Sequence, residues 1–174
     1  MEADSPTIRD ATEADLPAIV AIYNAAIPGR MATADLEPVS VEGRIPWLRQ
    51  HTPARRPIWV AEAAGAVVGW LSLQDFYGRP AYHATAEVSV YVAPAHQGRG
   101  VGWRLLAEAV RQGPSLGLRT LLGFIFAHNA PSLRLFQGLG FQRWGHLPRV
   151  AELDGVERDL VIVGLRLPEG HPSS

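Results

Sequence analysis

The chain has 174 residues, 47% hydrophobic and 19% charged, with a net charge of −1, which fits one globular domain with a proper core over residues 1–168. The near-zero charge argues against a nucleic-acid or anionic-membrane partner. The absence of cysteine excludes disulfides, a thiolate nucleophile and a cysteine-bound metal.

Met1-Glu2-Ala3-Asp4 is acidic and lacks the basic and apolar parts of a signal peptide. No apolar run has membrane-spanning length, so a cytoplasmic protein is expected. Pro6 to Arg9 reads as a first strand. Thr12-Glu13-Ala14-Asp15 has the form of a capping box, with the Thr12 hydroxyl placed to cap the third residue on. The helix it opens carries Leu16, Ile19, Val20 and Tyr23 on one face and ends near Pro28-Gly29. Arg30 to Val39 has no clear period and reads as a loop. Ser40 can cap a second helix with Ile45, Trp47 and Leu48, which Pro46 limits to short turns or an early position. Ile58 to Ala61 and Val67 to Leu73 read as strands joined at a tight Ala64-Gly65 hairpin. Phe76 to Pro80 is a turn.

The central stretch is Ala86 to Trp103. Val88, Val90 and Val92 alternate with Glu87, Ser89 and Tyr91, giving a strand with valines on one face. Pro94 stops it. Gln97-Gly98-Arg99-Gly100-Val101-Gly102 then opens a helix with Val101, Leu105, Ala109 and Val110 at helical spacing, ending between Gly113 and Gly117. Glycines let backbone approach a ligand, and the free N–H groups of a helix start favour an anion. Arg99 adds positive charge. The loop therefore reads as a phosphate or pyrophosphate site. It is neither a dinucleotide fingerprint, since Trp103 occupies the third glycine position, nor a P-loop, since Gly-Lys-Ser/Thr is absent.

Leu118 to Ala127 is apolar enough for a buried strand. Asn129 can cap a helix through Leu133, Leu135 and Phe136, stopped at Gly138-Leu139-Gly140. Phe141 to Val150 is extended, Asp154-Gly155 signals a hairpin, and Arg158 to Leu167 is the last strand. The tail 169–174 is expected to be disordered. The order β-α-α-β-β-β-α-β-α-β-β is a mixed α/β chain. The histidines show no metal-ligand spacing, so no metal is expected. Trp59, Trp70, Trp103 and Trp144 read as core or dimer packing.

The glycine loop resembles the Gln/Arg-x-x-Gly-x-Gly loop of the Gcn5-related N-acetyltransferases. The likeness extends over nearly the whole chain and is greatest to the phosphinothricin-acetyltransferase-like branch. It is carried by T-I-R-D-A-T-E-A-D-L-P-A-I, V-A-E-A-A-G-A-V-V-G-W, R-P-A-Y, the central strand and loop, and H-N-A-P-S-L-R-L-F-Q-G-L-G-F. The resemblance implies that family's fold, a central mixed and mostly antiparallel sheet flanked by helices. It implies acetyl-coenzyme A as co-substrate, bound by Gln97, Gly98, Arg99, Gly100, Val101 and Gly102 at the pyrophosphate. Val90, Tyr91 and Val92 are the strand residues implied along the pantetheine, and Asn129 and Ser132 lie beside it. Glu87 is the implied general base, and Arg79 and Tyr77 the implied acceptor contacts. Phe136 departs from the Tyr or His common at its position and cannot donate a proton. Direct transfer to a small amine, an amino acid or analogue, is the expected reaction, and a homodimer the expected assembly. A protein N-terminus or aminoglycoside as acceptor, or a silent acyl-coenzyme A sensor, are the alternatives.

Overall fold

The computed structural model describes residues 5–169 of the chain. The tail expected over 169–174 lies outside them except for Glu169, and the four opening residues also lie outside. The elements follow the expected order: β1 (Thr7–Asp10), α1 (Leu16–Ala26), α2 (Val41–Arg49), β2 (Ile58–Ala63), β3 (Ala66–Asp75), β4 (Thr85–Val92), α3 (Val101–Gln112), β5 (Thr120–Phe126), α4 (Ala130–Gly138), β6 (Gln142–Leu153) and β7 (Val156–Arg166). The strands form one sheet ordered β1-β2-β3-β4-β5-β7-β6. Only β4 and β5 run parallel; every other neighbouring pair is antiparallel.

The capping box expected at Thr12-Glu13-Ala14-Asp15 forms. The Asp15 carboxylate reaches back to the Thr12 N–H at 2.7 Å and lies 3.3 Å from the Thr12 hydroxyl, and Arg9 grips it through two bonds of 2.8 and 2.9 Å. One local expectation needs correction. Pro46 is not confined to an early position but sits inside α2. Ser40 caps that helix at Gly43 N–H (3.0 Å). The Glu42 carbonyl that Pro46 leaves without a donor belongs to an exposed residue, where water can serve it.

The period-two strands divide the core. One face packs Leu71, Leu73, Val88, Leu121 and Val163 against Val101, Leu105, Leu133 and Phe136 of α3 and α4. The other face packs Ile58, Val60 and Trp70 against Ile19, Ile22 and Tyr23 of α1. Trp59 and Trp70 are buried, whereas Trp103 and Trp144 are half exposed. Trp103 lies over Gly138, and Trp144 lies over Gly164, where any Cβ would overlap its ring.

Candidate active site

β4 and β5 pair only at Thr85/Thr120, Ala86/Leu121 and Glu87/Leu122. Beyond that point β4 continues with β3 and β5 with β7, so the sheet opens between them. Which backbone groups face the opening follows from one bond, Ala93 N–H to the Val68 carbonyl at 2.8 Å. Antiparallel pairs alternate, so Trp70/Tyr91, Ser72/Ser89 and Gln74/Glu87 exchange the ladder bonds. The N–H and C=O groups of Val90 and Val92 therefore point away from β3 into the opening, while Val88 N–H still belongs to the last β4–β5 pair at Glu87/Leu122. The Val92 carbonyl accepts there from Gln97 Nε2 at 3.3 Å.

The glycine loop stands at the end of this opening. Gly98 and Gly100 have φ of +74° and +82°, and a Cβ on either would meet open space. Gly100 is the N-cap of α3. Among the described residues nothing accepts from the amides of Gly98 to Trp103, which leaves a row of free donors at a helix start. Arg99 is exposed beside them. Two loop positions do other work. Val101 is buried against Gly69, and a Cβ on Gly102 would press on Leu135 at 3.3 Å, so Gly102 lets α3 and α4 approach.

A cavity of about 480 Å³ fills the space where the strands part. Glu87, Ser89 and Tyr91 of β4, Phe124 and Phe126 of β5, and Asn129, Ser132 and Phe136 of α4 line it. Glu87 is partly buried, and Gln74 Nε2 donates to its Oε2 at 3.1 Å. Burial pushes the Glu87 carboxyl above its ordinary value, and the Gln74 bond offsets part of that rise. A carboxylate held this way is a better proton acceptor than one free in water.

The Asn129 side chain is used at both ends. Its Oδ1 accepts from Ser132 N–H at 3.2 Å, and its Nδ2 donates to the Met31 carbonyl at 3.1 Å. Phe136 is 2% exposed and rests on Gly123, where a Cβ would stand 2.8 Å from its ring. Tyr91 lies between the two valines in sequence only. Its amide belongs to the ladder with Trp70, its ring stacks on Trp70 at 4.9 Å, and its hydroxyl donates to the Ala32 carbonyl at 3.1 Å. Burial holds that phenol well above its ordinary range.

No residue pattern in Arg30 to Val39 announces what roofs the cavity. Met31 to Ala34 cross it as a strap. His128 Nε2 bonds the Arg30 carbonyl at 2.8 Å, Tyr23 OH meets Thr33 Oγ1 at 2.6 Å, and Arg30 pairs with Asp154 at 2.8 Å. Tyr23 also donates to Asp35. Val150 and Ala151 of β6 and Leu160 of β7 close the far side. Arg79 and Tyr77 are not brought to this cavity. Arg79 lines a separate depression of about 200 Å³ with Arg55, Asp75 and His83, and Tyr77 is 78% exposed against Phe76. Their expected acceptor roles find no support in this placement. No group of three or more His, Asp or Glu among the described residues is arranged to hold a metal.

A family model described as Acetyltransferase (GNAT) family matches residues 19–141, which span α1 to α4 and include the glycine loop. YwnH of Bacillus subtilis is 53% identical over 92% of this chain and 99% of its own length. The L-amino acid N-acyltransferase MnaT of Escherichia coli is 36% identical over 94% of this chain and 95% of its own. The crystal structure of a GNAT superfamily phosphinothricin acetyltransferase from Sinorhizobium meliloti in complex with AcCoA has a TM-score of 0.90 at 30% identity, covering 98% of this chain and 92% of that one. Shared coverage on this scale takes in the parted strands, the free amides and the strap alike. The chain therefore belongs to the GNAT family, in its phosphinothricin acetyltransferase-like branch, and is an acetyl-CoA-dependent N-acetyltransferase.

Proposed function

We propose that the enzyme acetylates a small primary amine of amino-acid size by direct transfer, with Glu87 as the base. The observation that carries this reading is the position of Glu87. It stands where β4 and β5 part, partly buried, with its carboxyl pushed upward and steadied by Gln74. An ammonium acceptor loses a proton to that carboxylate, directly or through one water, and the free amine attacks the thioester carbon. The N–H and C=O groups of Val90 and Val92 serve the pantetheine arm, and the amides of Gly98 to Gly102 with Arg99 serve the pyrophosphate. Ser132 adds a hydroxyl to the cavity wall. Asn129 acts through its cap and its bond to the strap. Phe136 supplies no acid, and a thiol with a pKa of about 8.5 leaves without one.

The same reading includes a cytoplasmic homodimer. Edge strand β6 exposes Trp144, Leu147 and Val150, apolar surface that a second copy would cover. Light scattering after size exclusion tests it, and a monomer at micromolar concentration removes it.

The test of the reaction is release of free thiol from acetyl-CoA over a panel of amino acids, analogues and simple amines. Wild type should turn over at least one, and Glu87→Gln should lose about 10²-fold or more in kcat while still binding acetyl-CoA. Retention of most of the rate by that variant removes Glu87 from the mechanism.

A further inference from the structure

An amine attacks a thioester well only when the rest of the acceptor is held, so the cavity needs a second point of attachment beyond Glu87. The hairpin of β6 and β7 supplies one. Ala151 of β6 and Leu160 of β7 line the cavity. Arg158 stands across from Ala151 in the register of that hairpin, and two residues before Leu160 on the same face of β7. Val161 and Val163 pack on the opposite face, in the core beneath α3 and α4. Ala151 ends in a methyl group, so no bulky side chain stands across from the arginine.

The Arg158 Nε is buried without a hydrogen-bond partner, and among the described residues no carboxylate pairs with this guanidinium. A charged donor shut off from water without an acceptor is costly, and a bound anion removes that cost. The planar fork of a guanidinium matches the two oxygens of a carboxylate. The other basic groups around the cavity have partners or lie elsewhere. Arg30 of the strap is held by Asp154 at 2.8 and 3.3 Å and by the Leu36 carbonyl at 3.0 Å. Arg149 of β6 lies 3.8 Å from Glu157. His128 spends its ring donor on the Arg30 carbonyl at 2.8 Å, and Arg79 belongs to the separate depression.

Gly164 is the β7 residue level with Leu122 and Glu87, and Arg158 lies six residues before it. At about 3.3 Å per residue, Arg158 and Glu87 start roughly 20 Å apart along the sheet. Extended, the arginine reaches roughly 7 Å and the glutamate roughly 4 Å, which leaves about 10 Å between the charged ends. An amino acid spans that gap with its carboxylate on the guanidinium, its amine toward Glu87 and one water between amine and base. Resting on the acetyltransferase reading above, we propose that Arg158 holds the carboxylate of the acceptor amino acid and so aims its amine at the thioester. Arg158 binds and orients; it moves no proton. Selection of a carboxylate-bearing acceptor then lies in the β6–β7 hairpin and not in the turn between β3 and β4.

The experiment uses the full chain, saturating acetyl-CoA and the thiol-release assay. The amino acid that wild type uses best is compared with its own carboxamide, with rates expressed per unprotonated amine over a pH series. Wild type should favour the free acid. Arg158→Met should raise KM for the free acid by about tenfold or more, the loss of a charge-assisted pair, while KM for the amide and for acetyl-CoA stays within about threefold. Arg158→Lys keeps the charge without the fork and should recover part of that loss. Thermal shift with acetyl-CoA confirms that both variants fold. A loss by Arg158→Met that is equal for acid and amide marks a merely structural role and overturns the proposal. An unchanged KM for the acid overturns it too, and moves the anchor to another group, a second copy's included. Either result leaves the acetyltransferase reading standing. Thiol release by wild type from no amino acid, amide or simple alkylamine overturns both.

Discussion

Replacing Gln74 by Met keeps side-chain length but removes the donor that reaches Glu87 Oε2 at 3.1 Å. A hydrogen bond to a charged group contributes about 1.5–3 kcal/mol, and water reaching a partly exposed carboxylate recovers some of it. The lower end is therefore the better guide, about 1.4 kcal/mol, or about one pH unit. The donor favours the ionised carboxylate, so its loss moves the Glu87 pKa upward, adding to the rise that burial already causes. If Glu87 is the base, it sets the acid limb of the kcat/KM profile and the acceptor ammonium sets the alkaline limb. Gln74→Met should shift the acid limb up by about one unit, leave the alkaline limb in place and leave the rate on the plateau within about threefold. Glu87→Gln in the same buffers should abolish the acid limb. A merely structural Gln74 would lower the whole profile without moving either limb. That result, or an acid limb that survives Glu87→Gln, refutes the assignment.

Glu87→Gln should gain stability as it loses rate. A carboxyl raised in the folded state contributes stability below its unfolded value that is lost as pH rises through the folded one, so at pH 7 the neutral variant should melt about 2–4 °C higher by calorimetry, for about 1 kcal/mol. Asp15→Asn should cost about 1.5 kcal/mol at neutral pH in urea titration, since Arg9 and the Thr12 N–H hold its carboxyl below the ordinary range. That stability is present above the unfolded value and lost as pH falls through the folded one, so the difference from wild type should close below about pH 4. Gly100→Ala meets no neighbour but is strained at φ +82°, so it should cost about 1 kcal/mol and raise KM for acetyl-CoA more than KM for the acceptor. Gly164→Ala drives its Cβ into the Trp144 ring and should cost about 1–3 kcal/mol; adding Trp144→Ala should return part of it, and a strictly additive double variant would rule the contact out.

What could be read from the sequence was whatever a residue type alone can require. Gly98 and Gly100 announce a loop of unusual backbone, and both do adopt positive φ. Ser40 and Asn129 announce helix starts, and both cap. Alternation in β4 separates Val88 from Glu87, and the two do serve opposite faces. The strap could not be read in this way. Met31 to Ala34 carry no period, and their placement rests on Tyr23, Tyr91, His128 and Asn129, which arrive from two other elements and the loop before α4. The same limit applies to Arg79. A guanidinium near the central strand in sequence is an attractive carboxylate partner, yet the turn between β3 and β4 carries it to another surface. Pro46 shows the converse: a residue that argues against a helix interior is accepted where the orphaned carbonyl faces water.

In the proposed function, strand β4 needs little side-chain identity to hold the co-substrate. Its period of two assigns three tasks without conflict. The even positions, Val88, Val90 and Val92, send their side chains into the core against α3 and α4. The backbone groups of Val90 and Val92 face the opening, because β3 has already taken the bonds of the odd positions and the β4–β5 pairing ends at Glu87. The odd positions, Glu87, Ser89 and Tyr91, turn their side chains to the strap and the acceptor space. The proposed recognition of the pantetheine is therefore carried by main chain alone, and the valines are free to be chosen for packing. Of the odd positions, Glu87 and Ser89 are the ones where a substitution alters chemistry without touching the core, since Tyr91 packs on Trp70. Closing the gap by extending the β4–β5 pairing past Glu87 and Leu122 would satisfy the valine amides within the sheet. It would also remove the donors and the cavity together, so the few ladder bonds the sheet forgoes between β4 and β5 are the structural cost of having a site at all.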